Sequence, residues 1–159
     1  MSVHLITGGA GFIASNLIGS LLSASDAVIA IDDLSRGRRE FLRPYESNPR
    51  FRFQQIDCSD ASVFLQELKK ICEDLAITDV WHLAANSDIP AGVADPRIDL
   101  KNTFMTTFAT LEVMKAMGIP ALHFASSSAI YGDLKDAEIS ETSGPPEPIS
   151  NYGAMKLAS

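Results

Sequence analysis

Val3-His-Leu-Ile-Thr7-Gly8-Gly9-Ala10-Gly11-Phe12-Ile13-Ala14 is the stretch that decides how the rest of the chain is read. Val3–Thr7 is a short apolar, β-prone run that stops at glycines. From Gly11 to Ser23 the apolar residues Phe12, Ile13, Leu17, Ile18, Leu21 and Leu22 recur at helical spacing. A strand therefore turns through glycines into a helix, and Gly9, Gly11 and Ala14 fit the spacing G-x-G-x-x-G/A. In that pattern the first glycine makes a tight turn and the second lets a pyrophosphate approach the backbone. The third small residue lets helix and strand pack closely. The helix N-terminus adds free N–H groups and the positive end of its dipole. Alone the pattern is weak, because a plain strand-to-helix turn uses the same residues.

Outward from that turn, strand and helix patterns alternate. Ala27–Asp32 reads as a second buried strand ending at two aspartates, and Phe51–Gln55 as a third, more polar one. Ser62–Asp74 reads as a helix with an apolar stripe of Val63, Phe64, Leu68, Ile71 and Cys72. Asp79–Leu83 and Ala121–Ala125 complete five strands, with a long helix from about Ile98 to Met117 between them. Gly118 is its C-cap, and Pro120 prevents continuation. This alternation predicts an α/β fold, a doubly wound parallel sheet covered by helices on both faces. Asp133–Ile149, with three prolines and several acids, reads as a surface loop before a last helical segment near Ser150. A sheet of this kind usually has six strands. Five are counted, so residues 1–159 are expected to be one dinucleotide-binding domain, incomplete at its carboxyl end, with no substrate domain in the chain.

Composition narrows the partners. The 159 residues are 46% hydrophobic and 21% charged, as in ordinary globular proteins, which excludes a disordered or collagen-like chain. Thirteen basic against twenty acidic side chains give −7, which disfavours nucleic acid and anionic membrane as partners. No eighteen-residue apolar run is present, and Met1–Gly9 lacks a basic signal-peptide region, so the cytoplasm is the expected location. Cys58 and Cys72 cannot form a disulfide framework. No His/Cys/Asp cluster has metal-ligand spacing, so no metal is expected. His4 is expected to face a helix, His123 to lie in a buried strand, His82 to pack and Trp81 to be core.

Three further features carry chemistry. Asp32 lies some twenty residues beyond the glycine turn, where a carboxylate can accept both hydroxyls of an adenosine ribose and repel a 2′-phosphate. That favours NAD, although Arg36, Arg38 and Arg39 just downstream could hold the phosphate if they are not simply a solvated loop. Tyr152 and Lys156 are four apart on the last helix, so a phenol and an ammonium share a face, and the cation stabilises a phenolate base. Any amphipathic helix can carry such a pair by chance. Ala125-Ser126-Ser127-Ser128-Ala129-Ile130-Tyr131-Gly132 ends the fifth strand, where ligands of open α/β sheets sit. The same serines would also suit a polar turn.

Together these stretches resemble the extended short-chain dehydrogenase/reductase family, specifically its NAD-dependent nucleotide-sugar epimerases and dehydratases, over essentially the whole chain and in the family's order. Thr7–Ala14 is similar to the family's TGxxGxxG, with Ala14 at the last glycine. Asp32, Asp33, Leu34, Ser35 and Gly37 resemble its ribose-binding turn. Asp57 and Cys58 resemble the adenine-contacting pair, and His82, Leu83, Ala84 and Ala85 the strand beside the cofactor. The resemblance implies a Rossmann fold and bound NAD. It also implies cofactor contacts from Gly8, Gly9, Gly11, Phe12, Ile13, Asp32, Asp33, Asp57, Cys58, Leu83, Ala84, Ala85, Tyr152 and Lys156. Ser127, Tyr152 and Lys156 match the catalytic triad, with Ser128 the alternative serine by register. The family's helix asparagine does not align without a shift, so no role passes to Asn102.

Within the family, 4,6-dehydratases carry acids just after the catalytic hydroxyl. Ser128 and Ala129 stand there in this chain, which implies a 4-epimerase of the UDP-glucose/UDP-galactose type. The alternatives are a dehydratase, decarboxylase or reductase of the same family, or a catalytically inactive dinucleotide-binding fragment. The family also implies a homodimer at full length, packed through the last two long helices. Without the substrate half, the 159-residue chain is expected to bind NAD weakly, if at all, and to turn over no sugar.

Overall fold

A computed structural model describes residues 1–72, 75–135 and 138–159. Five parallel strands, β1 (Val3–Thr7), β2 (Ala27–Asp32), β3 (Phe51–Gln55), β4 (Asp79–His82) and β5 (Ala121–Phe124), form one sheet in the order β3-β2-β1-β4-β5. The chain winds outward from β1 to β3, then crosses back to β4 on the other side of β1. That reversal opens a crevice at the carboxyl ends of β1 and β4, where the glycine turn lies.

The alternation of side chains along the strands builds two cores. Leu5, Ile29, Ile31 and Val80 face α2 (Ala61–Ile71) and α5 (Thr106–Met117), packing with Phe64, Leu68 and Val113. Ile6, Val28 and Ala30 face the opposite way, onto α1 (Phe12–Ser23). There Ala14, Ile18 and Leu22 recur every fourth residue and are buried. Leu42, in a 3-10 turn over Arg39–Tyr45, completes that layer. The doubly wound α/β sheet expected from the sequence is the fold observed.

Several expectations need correction. The helix expected over Ile98–Met117 is present, but it is not regular throughout. It follows the short α3 (Ile89–Ala94) and consists of α4 (Pro96–Asp99), a wide π turn over Leu100–Met105 and then α5. Threonines accompany the irregularity: Thr106 Oγ1 and Thr107 Oγ1 donate to Thr103 O at 2.9 and 3.1 Å, and Thr110 Oγ1 to Thr106 O at 2.7 Å. Such bonds compete with the regular helical ladder. In α2, Asp60 caps the N-terminus by accepting from Ser62 N and Val63 N, so the helix begins at Ala61. It ends at Ile71, and its expected end at position 74 lies outside the described residues.

His4 does not face a helix. Its Nδ1 lies 2.8 Å from Asp79 Oδ1 and its Nε2 3.3 Å from Asp26 Oδ2, tying together the amino ends of the strands, away from the crevice. His123 is exposed, because β5 is an edge strand, and its ring stacks on Trp81 with centroids 4.0 Å apart. Trp81 is accordingly half-buried rather than fully enclosed.

Candidate active site

The glycine turn is fixed by contacts that explain its residues. Gly8 has φ +68°, in the left-handed region, and a Cβ there would lie 2.8 Å from Ala84 N. Gly9 donates its N–H to Ile31 O at 2.8 Å, and a Cβ on it would meet Ala30 Cβ at 2.7 Å. Gly9 is therefore a packing glycine. Gly11 is the N-cap of α1 and carries no side chain over the turn.

Asp32, almost fully buried, braces the turn from the end of β2. Its Oδ2 accepts from Ala10 N at 3.0 Å and its Oδ1 from Leu34 N at 2.8 Å. Burial raises its pKa above the ordinary carboxylate value despite those two bonds. Each oxygen keeps a lone pair for a further donor. Gly37 is required beside it, since a Cβ would stand 2.5 Å from Asp32 Oδ1. Burial also raises Asp57, but hydrogen bonds from Ser59 and Lys101 outweigh it, leaving that carboxyl below its usual range. Lys101 Nζ lies 2.9 Å from Asp57 Oδ2. The neighbouring Cys58 thiol is pushed up to about 12, chiefly by burial, so it is not a reactive thiolate.

These groups line one cleft of about 560 Å³, within the usual range for a cofactor site. Of the expected site residues, Gly8, Gly11, Phe12, Ile13, Asp32, Asp33, Asp57, Cys58, Leu83, Ala84, Ala85, Tyr152 and Lys156 all line it. Phe12 and Ile13 are 77% and 66% exposed, a large apolar surface to leave facing solvent at the mouth of a cleft. Gly9 and Ser127 are not among the lining residues. Ser126 is, and Ser127 instead accepts from Ala129 N at 3.2 Å, capping a 3-10 turn over Ser128–Tyr131. Ser128 is exposed.

Tyr152 and Lys156 stand on α6 (Asn151–Ala158), which Ser150 caps by accepting from Gly153 N at 3.0 Å. Lys156 is only 4% exposed. Its Nζ donates to Ala125 O at 2.7 Å and sits 4.8 Å from the centroid of the Phe124 ring. Burial lowers its pKa to about 8, so at neutral pH it carries a charge in a poorly solvated place. Beneath the cleft floor His82 is fully buried between Thr7 Oγ1 at 2.7 Å and Thr107 Oγ1 at 3.0 Å. Burial drives its pKa down to about 4, so it packs as a neutral ring, as expected.

Sequence reasoning missed part of the wall. Asn86 and Ser87, which follow the β4 motif, and Thr106 of α5 line the cleft. Asn86 is buried: its N–H donates to Thr103 Oγ1 at 3.1 Å and its Nδ2 to Asp99 Oδ1 at 2.8 Å. A run of four threonines among residues 103–110 was the available signal of a polar, buried helix face.

A glycine turn, a braced acidic strand end and a tyrosine–lysine pair around one crevice define a dinucleotide-binding α/β protein. The NAD dependent epimerase/dehydratase family model matches residues 4–159, and the chain belongs to that family. It is 35% identical over 157 residues to a UDP-glucose 4-epimerase of Lacticaseibacillus casei, covering 96% of this chain and 43% of the relative. It is 33% identical over 167 residues to a dTDP-glucose 4,6-dehydratase of Haemophilus influenzae, covering 98% and 48%. The crystal structure of Thermus thermophilus UDP-glucose 4-epimerase in complex with NAD superimposes with a TM-score of 0.84 at 32% identity, covering 98% of this chain and 48% of that one. The chain thus spans about half the length of these relatives. NAD, the cofactor expected from Asp32, is the cofactor of the family. Among the described residues no helix is long and apolar enough to cross a membrane.

Proposed function

We propose that this chain carries the NAD site and the acid–base residues of a nucleotide-sugar 4-epimerase of the UDP-glucose/UDP-galactose type. The observation that supports this most is the presence of Tyr152 and Lys156 in the same cleft as the glycine turn. The cleft fits NAD: its volume is sufficient, no side chain at Gly11 stands over the turn, and Asp32 has lone pairs free for ribose hydroxyls. Held by the glycine turn and Asp32, NAD would supply reversible hydride transfer at the sugar's C4.

The protein's own residues handle the proton. Tyr152 as phenolate accepts it from the C4 hydroxyl, and gives it back when the alcohol re-forms. Lys156, held at Ala125 O and charged at neutral pH, stabilises the phenolate from one helical turn away. Ser127 lies outside the cleft lining with its Oγ accepting from Ala129 N–H, and its free proton is the proposed donor to the same sugar oxygen once substrate is bound. Ser128 is the alternative donor.

Epimerisation rather than elimination is favoured because Ser128 and Ala129, directly after that serine, supply no acid to expel water. The native gene product is proposed to be about twice this length, with the substrate half beyond Ser159. A homodimer is proposed through α5 and α6, where Phe108, Leu111 and Leu157 leave apolar side chains 44–46% exposed.

Product analysis of that gene product with UDP-glucose and UDP-galactose tests the reaction. Interconversion is expected, abolished by Tyr152→Phe; a product lacking water or carbon dioxide overturns the epimerase reading. For the 159-residue chain, weak NAD binding and no turnover are expected. Epimerase activity in that chain alone contradicts the proposed split.

A further inference from the structure

Arg36 and Asp88 are 52 residues apart in sequence, yet Arg36 Nη2 donates to Asp88 Oδ2 at 2.5 Å. Arg36 stands in the loop after β2 and Asp88 in the segment after β4, and these two strands flank β1. The ion pair therefore crosses the cleft above the turn of β1, where Gly11, Phe12 and Ile13 start α1.

The two ends are held very differently. Asp88 is fixed: its Oδ1 accepts from Ala91 N at 3.0 Å as the cap of α3, its N–H donates to Asn86 Oδ1 at 3.0 Å, and its C=O accepts from Asn86 Nδ2 at 2.8 Å. Arg36 is a cleft-lining side chain, about half exposed, and Asp88 is the single hydrogen-bond partner of its guanidinium among the described residues. Its loop is pinned to the turn close by, where Arg38 N donates to Ala10 O at 2.9 Å.

A dinucleotide lying along this turn brings the two negative charges of its pyrophosphate beneath that guanidinium. Resting on the reading of the cleft as an NAD site, we infer that Arg36 is a pyrophosphate ligand held in reserve by Asp88. On NAD binding the guanidinium exchanges a carboxylate for phosphate oxygens, a planar bidentate match to its donors. Asp88 competes with the cofactor for Arg36 and so weakens binding, while Arg36 strengthens it.

Substitutions at the two ends consequently act in opposite directions. Arg36→Gln removes the cation, and NAD binding is expected to weaken by about three- to tenfold. Asp88→Asn keeps an amide oxygen to cap α3 but releases the guanidinium, and binding is expected to tighten by about two- to fivefold. The double variant behaves like Arg36→Gln. Arg36→Lys, which keeps the charge but loses the bidentate fork, binds between the parent protein and Arg36→Gln. If the pair were only a clasp between the two rims of the cleft, both single variants would weaken binding.

The test is an NAD titration of the native gene product, stripped of cofactor, by calorimetry, with melting temperatures confirming that each variant is folded. Opposite shifts for Arg36→Gln and Asp88→Asn support the exchange. Weakening by Asp88→Asn, or no effect of either substitution, overturns it. Absence of NAD binding by the unsubstituted gene product overturns the reading of the cleft as well, whereas normal binding with unresponsive variants overturns the exchange alone.

Discussion

Replacing Lys156 with methionine should make the protein more stable while removing the cation proposed to support its chemistry. Lys156 is almost completely buried, and its ammonium has one hydrogen bond, to Ala125 O, and the face of Phe124 as compensation. Burial lowers its pKa from 10.5 to about 8. That gap corresponds to about 3 kcal/mol of folding free energy lost when the lysine is charged. Below pH 8 the lysine is protonated in both the folded and the unfolded chain, so the folded state bears the whole cost. Between pH 8 and 10.5 the unfolded chain holds a proton that the folded one has shed, and stability rises with pH. Above 10.5 both are neutral and the cost is gone. Met is about as long, apolar and uncharged, so Lys156→Met removes the cost but loses the hydrogen bond and the cation–π contact, together about 1–2 kcal/mol. A net gain of about 1–2 kcal/mol at pH 7 follows. Urea unfolding by far-UV circular dichroism at pH 7, 8, 9.5 and 10.5 measures it. Other titrating groups cancel in the difference between the two proteins, which should shrink or reverse by pH 10.5. A variant less stable than its parent at pH 7, or a gap that ignores pH, would falsify the argument that this ammonium is held against its solvation.

Other expectations follow from the same geometry. Gly8→Ala forces a side chain into the left-handed region and against Ala84 N and the Leu83 carbonyl carbon, so unfolding in urea should show a loss of about 2–4 kcal/mol. His82, with a folded pKa of about 4 against 6.5 unfolded, leaves stability intact above pH 6.5; about 3 kcal/mol is lost as pH falls from there through 4. An NMR titration of its Cε1–H with a midpoint near 6.5 would contradict this. Asp32→Asn turns one acceptor toward a backbone N–H as a donor, so NAD affinity should fall at least about tenfold by titration, and an unchanged affinity would remove Asp32 from the site.

What could be read from the sequence is what its near neighbours determine. The buried strands β1 and β2 announce themselves as largely apolar runs, and the glycine turn by its spacing between two regular elements, although the left-handed residue is Gly8, and Gly9, expected to make the tight turn, is a packing glycine. Tyr152 and Lys156 share a helix face by spacing alone. The residues that escaped depend on contacts distant in sequence. Gly92 reads as a poor helix former, yet a Cβ there would meet the buried carboxylate of Asp99, seven residues on and in the next helix. The π turn likewise depends on Thr103 meeting Asn86 N–H, a pairing no periodicity reveals. Ser126 lines the cleft while Ser127 Oγ accepts from Ala129 N, a difference of one residue in register that spacing does not reveal.

Net charge shows the same division between global and local information. At −7 the chain is expected to repel an anionic ligand, most of all a polyanion that samples the whole surface. A dinucleotide samples only the cleft. There the Asp57 charge is met by Lys101, while Arg36, Arg38 and the buried Lys156 line the same walls as the opening turn of α1. Asp32 and Asp33 stand at the end of β2, where a ribose and not a phosphate is expected, so as proposed ribose ligands they would discriminate between the ends of the cofactor instead of excluding it. The placement of a few cations, one of them made costly by burial, therefore outweighs the sign of the whole molecule.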